Sequence, residues 1–113
     1  MKKNIAVLGG GNGAHTMAGD LALRGYHVRM WEDPRFIGRL GVLRETLTIR
    51  CTGEVCGDGK IDLLTDDIAE AIDGADYIAV VTPSTAHVAV AEQLRGKVGR
   101  EQVILIYPGG FGA

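Results

Sequence analysis

The residues with the most specific chemistry lie near the amino terminus, in the run Gly9-Gly10-Gly11-Asn12-Gly13-Ala14, a G-x-G-x-x-A arrangement. Each position suits a turn that binds a pyrophosphate. Gly9 permits a tight turn, Gly11 lets backbone amides approach the phosphates, and Ala14 keeps the following helix close to its strand. Gly13 completes the turn. The helix that opens there offers unpaired N–H groups and partial positive charge to an anion. Glu32 stands at the end of the next predicted strand, where a carboxylate accepts both ribose hydroxyls of an adenosine. The same carboxylate repels a 2′-phosphate, so NAD is expected in preference to NADP. Arg35 remains available to pair with a 2′-phosphate, and Arg29 does so only if its side chain turns that way.

A second chemical segment is Thr82-Pro83-Ser84-Thr85-Ala86-His87. It follows a strand expected beside the first one, which puts it at the carboxyl edge of the sheet, where a nicotinamide would run. Thr82 is expected to cap the next helix. His87 shares a helical face with Val90, Ala91 and Leu94, so a packed, hydrogen-bonded histidine and a contact with cofactor or substrate are both open. His15, in the first turn of the phosphate helix, is expected near the pyrophosphate with no catalytic part. Trp31 either flanks the adenine or belongs to the core. No Ser/His/Asp or Cys/His arrangement and no metal-ligand spacing is recognisable, so neither a catalytic nor a metal set is expected.

The elements that must position these groups alternate from the start. Asn4 to Leu8 reads as a buried parallel strand. From Asn12 the period becomes helical, with Ala14, Met17, Ala18, Leu21 and Ala22 on one face and Gly25 as the stop. His27 to Glu32 is a second strand. Asp33-Pro34 predicts a cap and helix start, with Phe36, Ile37, Leu40 and Leu43 as the apolar stripe, weakened by Gly38 and Gly41. Residues 47–61 read as a β-hairpin excursion, turning near Thr52-Gly53. A strand at Asp62 to Leu64, a helix at Asp66 to Ile72 (Ile68, Ala69 and Ile72 inward) and a strand at Tyr77 to Thr82 follow. Pro83 then restarts a helix with Val90, Ala91 and Leu94 inward, and Val103 to Tyr107 is a last buried strand. Five strands linked by crossovers imply a Rossmann-like, doubly wound parallel sheet of order 3-2-1-4-5, with all 113 residues in one dinucleotide-binding domain.

Composition narrows the function classes. With 46% hydrophobic residues and a net charge of -2, the chain can form a core and is not expected to be disordered. Twelve basic residues against 14 acidic ones give no footprint for nucleic acid or an anionic membrane. The longest apolar stretches, Ile78 to Val81 and Val103 to Tyr107, are far too short to span a bilayer. Cys51 and Cys56 are expected as reduced thiols of a cytoplasmic protein, a bridge between them being the minor alternative. If Val103 to Tyr107 is the sheet edge, its apolar, uncharged sequence invites pairing with another chain, and a homodimer is expected.

The Gly9–His15 turn, Leu21–Val28, Trp31-Glu32, Asp62–Ile68, Thr82–His87 and Tyr107-Pro108-Gly109-Gly110-Phe111-Gly112 together resemble the amino-terminal domain of the opine dehydrogenases (octopine, nopaline and carboxyethyl-norvaline type). The resemblance covers essentially the whole chain. Its glycine turn and Trp31-Glu32 are shared with glycerol-3-phosphate dehydrogenases, while Thr82–His87 and the Pro-Gly-Gly-Phe-Gly end tilt toward the opine group. It implies reductive condensation of an α-keto acid with an amino acid. It also implies that Gly9, Gly11, Asn12, Ala14 and Glu32 hold the dinucleotide and that Thr82, Pro83 and His87 line its nicotinamide side. The family's proton-transferring histidine belongs to a second, mainly helical domain, which is expected to be absent here, leaving the chain without activity alone. A stand-alone NAD-binding regulatory module and the cofactor domain of a glycerol-3-phosphate dehydrogenase-like oxidoreductase are the alternatives.

Overall fold

Every residue of the first strand after Asn4 is buried, because this strand runs through the middle of a sheet covered on both faces. The computed structural model describes residues 3–51 and 57–107. Strand β1 (Asn4–Leu8) leads into helix α1 (Asn12–Leu23) and strand β2 (His27–Trp31). A 3-10 turn (Ile37–Leu40), helix α2 (Gly41–Thr46) and strands β3 (Thr48–Cys51) and β4 (Gly57–Lys60) come next. Strand β5 (Leu63–Thr65), helix α3 (Ile68–Ile72), strand β6 (Tyr77–Val80), a 3-10 turn (Ser84–Ala86), helix α4 (His87–Leu94) and strand β7 (Val103–Ile106) complete the chain.

The main sheet has the order β5-β2-β1-β6-β7 with every pair parallel. Counted without the hairpin strands this is the expected 3-2-1-4-5, and the hairpin is what changes the running numbers. Alternation sorts the core into two layers. Ile5, Val7, Val28, Met30 and Ala79 face α1 and the hairpin. Ala6, Leu8, Ile78 and Val80 face α3 and α4. Double coverage explains why β1 and β6 are unbroken apolar runs.

The hairpin pairs Thr48–Cys51 with Gly57–Lys60 in antiparallel register and lies against α1. Two glycines make that contact one of backbones. A Cβ on Gly59 would stand 2.5 Å from the Gly19 carbonyl oxygen, and one on Gly19 would stand 2.6 Å from Cys51 Sγ. Cys51 is a free thiol, pushed above its ordinary pKa by burial and then by the carboxylates of Asp20 and Asp58. The predicted turn at Thr52-Gly53, Cys56 and the Pro108–Gly112 segment lie outside the described residues.

Four expectations need correction. The helix predicted from Pro34 is instead a turn, a 3-10 turn and the short α2. Asp33 closes the first turn by accepting from the amides of Phe36 and Ile37 at 2.8 and 3.0 Å, and Gly38 and Gly41 supply little helix propensity beyond it. In α3, Ala71 rather than Ala69 is buried with Ile68 and Ile72, since a helix starting at Ile68 turns Ala69 outward. In α4, Val90 and Leu94 are buried and Ala91 is exposed. Strand β7 is not buried: Val103, Ile104, Leu105 and Ile106 are 40–65% exposed, because among the described residues nothing pairs with it beyond β6 or covers its faces.

Candidate functional site

The carboxyl ends of β1, β2 and β6 converge on a cavity of about 570 Å³. This volume falls within the range of small-molecule sites. It opens where the chain leaves β1 in one direction and β6 in the other, the switch point of a doubly wound sheet.

The glycine turn forms its floor. Gly9 has φ +138°, and its amide donates to the Trp31 carbonyl at 2.7 Å. A Cβ there would lie 2.2 Å from the Val81 carbonyl oxygen, so both conformation and space demand glycine. Gly10 sits against Glu32, whose Oε2 would be 2.1 Å from a Cβ. Gly11, by contrast, has extended backbone (φ −81°, ψ −175°), and a Cβ there would meet nothing within 4 Å. The protein's own packing does not require glycine at Gly11; a ligand in that space would. Gly11 is the N-cap of α1, and no side chain among the described residues caps that helix. Ala14 is buried against the sheet, as its spacing predicted. Asn12 and Gly13 line the cavity. His15 turns back, its Nδ1–H donating to the Gly11 carbonyl at 3.0 Å.

Glu32 marks one wall. Its Oε1 accepts from the Asp33 amide at 2.8 Å, and its amide donates to the Thr65 carbonyl at 3.1 Å. Half-burial pushes its carboxyl above the ordinary range. The Asp33 amide, Arg39 and His15 oppose that rise, and the Asp33 charge adds to it. Asp33 itself is held low by the Arg35 side chain and then by the Arg35 amide. The Arg35 amide, Nε and Nη2 reach the Asp33 carboxylate at 2.8, 3.0 and 3.1 Å. The guanidinium groups of Arg35 and Arg39 lie 5.2 and 5.1 Å from the centre of the Phe36 ring. Arg29 is turned away from this wall: its Nη1 donates to the carbonyls of Glu70, Ala71 and Asp73 at the end of α3. Trp31 is a core residue, 1% exposed, with its indole N–H donating to the Asp66 carbonyl at 3.0 Å.

The opposite wall carries Thr82 and Pro83. Thr82 does not cap the following helix. Its Oγ1 is buried and has no hydrogen-bond partner among the described residues. Ala86 opens that helix instead, its amide bonding the Pro83 carbonyl at 2.8 Å. His87 is half-buried and bonds the Thr82 carbonyl through Nε2 at 3.0 Å, outside the cavity lining. Thus Gly9, Gly11, Asn12, Gly13, Glu32, Thr82 and Pro83 meet around one space, while Ala14 and His87 stand behind it.

Residues 4–112 match the family described as NAD-dependent glycerol-3-phosphate dehydrogenase N-terminus. The chain belongs to this family. It is 36% identical over 112 residues to an opine dehydrogenase of Arthrobacter sp. (strain 1C), an alignment covering 97% of the chain and 30% of that protein. It is 35% identical over 116 residues to a glycerol-3-phosphate dehydrogenase [NAD(P)+] of Alcanivorax borkumensis, covering 97% and 33%. A solved octopine dehydrogenase with NADH and pyruvate shares the fold at TM-score 0.76 and 28% identity, over 91% of the chain and 28% of that structure. The chain spans about a third of the length of these relatives. It is an NAD-binding amino-terminal domain of the opine and glycerol-3-phosphate dehydrogenase type, with the Rossmann-like fold read from its strand order.

Sequence reasoning about this NAD-binding domain passed over Gly10, Asp33, Phe36 and Arg39. Gly10 carries a signal, being a third consecutive glycine where the G-x-G pattern asks for none. Arg39 carries none, because its place depends on a 3-10 turn read as helix. Among the described residues no group of three or more His, Cys, Asp or Glu could hold a metal, and no helix is long and apolar enough to cross a membrane.

Proposed function

We propose that this cavity holds the whole nicotinamide dinucleotide, NAD in preference to NADP, and that the chain is the cofactor domain of an opine-type dehydrogenase. The observation that carries this reading is the pairing of an uncapped α1 N-terminus beside open space at Gly11 with a carboxylate at Glu32. The first suits a pyrophosphate and the second an adenosine ribose. Thr82, at the other end, offers a buried hydroxyl that needs a partner. When bound, the cofactor supplies a hydride. This chain's residues bind and orient it, with His87 steadying the Thr82 segment, and none is in a catalytic role. In the whole protein an amine and an α-keto acid would lose water to form an imine, and hydride plus a proton would complete a secondary amine. The Thr82–His87 segment favours that substrate class, while the family match and the Alcanivorax relative favour a glycerol-3-phosphate dehydrogenase as second reading. The compartment proposed is the cytoplasm. The exposed aliphatic row of β7 fits a homodimer paired along that edge, which sedimentation over a concentration series tests; a monomer at every concentration overturns it.

The deciding experiment is calorimetric titration with NADH, NAD and NADPH. Roughly micromolar binding of NADH is expected, with the affinity lost in Gly11→Val. Because a Cβ at Gly11 meets no protein atom within 4 Å, that variant should lose no more than the roughly 1 kcal/mol of an N-cap change and stay folded during the titration, so lost binding reports the ligand's space. Absence of binding by every nucleotide, or a Gly11→Val variant that binds normally, overturns the reading. The chain alone should not oxidise NADH with pyruvate and amino acids.

A further inference from the structure

Three consecutive glycines precede α1, and the G-x-G pattern accounts for the outer two alone. Each is glycine for a different reason. Gly9 has φ +138° and a backbone atom, the Val81 carbonyl oxygen, where its Cβ would stand, so the fold itself requires it. Gly11 faces open space that a ligand would fill. Gly10 has no positive φ, so its conformation does not demand glycine. What stands over it is the end of a side chain. A Cβ there would lie 2.1 Å from Glu32 Oε2, 2.9 Å from Glu32 Cδ and 3.1 Å from Leu40 Cδ1. Oε1 of the same carboxylate accepts from the Asp33 amide at 2.8 Å. One oxygen of Glu32 is therefore tied to backbone, and the other rests in the space that a side chain at position 10 would take.

We propose that Gly10 is a positioning residue for Glu32, its missing side chain being the seat that holds the carboxylate against the phosphate turn. This inference rests on the dinucleotide reading above, in which Glu32 meets an adenosine ribose. A Cβ at position 10 has to stand at least 3.0 Å from Oε2, so the carboxylate must retreat by about 1 Å. Binding groups work within about 0.5 Å of their productive geometry, so that retreat is enough to lose the ribose contacts. The fold is little affected, because the nearest atoms to such a Cβ are the ends of flexible side chains and none is backbone. Gly10→Ala should thus be a folded protein with a displaced carboxylate, whereas Gly9→Ala should be destabilised.

The test is titration of NADH into wild type, Gly10→Ala, Glu32→Ala and the double variant over a pH series. Melting temperatures of these proteins and of Gly9→Ala are recorded in parallel. Gly10→Ala should melt close to wild type and bind NADH about tenfold more weakly, the size of a hydrogen bond to a charged group. In the Glu32→Ala background the same change should cost less than about twofold, since no carboxylate is left to displace. The pH dependence of NADH affinity in Gly10→Ala should flatten toward that of Glu32→Ala, which keeps Asp33, Arg39 and His15, the other charged groups facing this carboxylate. Wild-type affinity or a wild-type pH profile in Gly10→Ala overturns the proposal. An equal loss with and without the Glu32 carboxylate overturns it too, since the Cβ would then be meeting the ligand itself. A Gly10→Ala variant that melts as low as Gly9→Ala makes this glycine a requirement of the fold and likewise overturns it. Failure of wild type to bind NADH strikes the dinucleotide reading instead.

Discussion

Thr82→Val changes one atom group and should move two measurements in opposite directions. The hydroxyl is buried and has no partner among the described residues, and leaving such a group unpaired costs about 1–3 kcal/mol. Valine has nearly the same shape. Thr82 Cγ2 already packs near the turn, 3.3 Å from where a Gly9 Cβ would stand, so a second methyl in place of the hydroxyl asks for little rearrangement. Without cofactor, the variant should therefore be about 1 kcal/mol more stable, which for a domain of this size raises Tm by about 4 °C. With cofactor the sign reverses. If the bound dinucleotide supplies the missing partner, the hydroxyl contributes about 1 kcal/mol of net hydrogen bonding, and its removal should weaken NADH about fivefold. Thr82→Ser keeps the hydroxyl and should retain most of the affinity. Thermal melts followed by circular dichroism and calorimetric titration of the three proteins give both numbers. A Thr82→Val variant that melts several degrees lower would show that the hydroxyl is already satisfied in the folded chain. Unchanged NADH affinity would show that no ligand atom reaches it. Either result refutes the reasoning.

Glu32 gives a pH prediction. Burial raises its folded pKa above the unfolded value, so at neutral pH the native state bears the cost of the charge. As pH falls through the raised pKa, the native chain takes up its proton before the unfolded chain does, and this group's contribution to stability improves. Ribose hydroxyls need the ionised form, so NADH affinity should fall over the same interval and be flat in Glu32→Gln; equal slopes in titrations of the two proteins would contradict this. Gly59→Ala should lower stability by about 1–3 kcal/mol, since its Cβ would approach the Gly19 carbonyl oxygen to 2.5 Å and force the hairpin off α1. Equilibrium urea unfolding measures it, and wild-type stability would mean that the helix and hairpin do not touch as described.

The sheet and the phosphate turn were legible because each rests on a local rule. Unbroken apolar runs at Ile5–Leu8 and Ile78–Val81 are what doubly covered parallel strands require, Gly9 has no room for a Cβ, and Ala14 is buried between helix and sheet. What was not legible depends on partners distant in sequence. Arg29 and Trp31 stand on the strand that ends at the site, yet both are taken by carbonyls near α3, at Glu70, Ala71 and Asp73 for the arginine and at Asp66 for the indole. Thr82 has the right type and place for an N-cap, but the turn at Pro83 begins the helix without it. The exposure of β7 was hidden for a similar reason: a buried strand and a bare edge strand have the same apolar sequence.

The division between what is fixed and what is free bears on how the cavity would work. Backbone hydrogen bonds continue just past the strand ends that carry the site. Gly9 bonds the Trp31 carbonyl at 2.7 Å, Val81 the Leu8 carbonyl at 2.9 Å, Glu32 the Thr65 carbonyl at 3.1 Å and Tyr107 the Val80 carbonyl at 3.0 Å. The floor is thus held by main-chain pairing across the sheet, and the Gly9–Val81 approach locks the glycine turn to the Thr82 segment. Other groups carry no hydrogen bond among the described residues: the first turn of α1 has no side-chain cap, the Thr82 hydroxyl has no partner, and the Arg39 guanidinium rests on the Phe36 ring. A rigid frame carrying unspent donors is the arrangement that lowers the ordering cost of binding, because the protein need not rearrange to offer them. It also explains why variants of these side chains should alter affinity without destabilising the fold, while Gly9 or Gly59 variants should first disturb the frame.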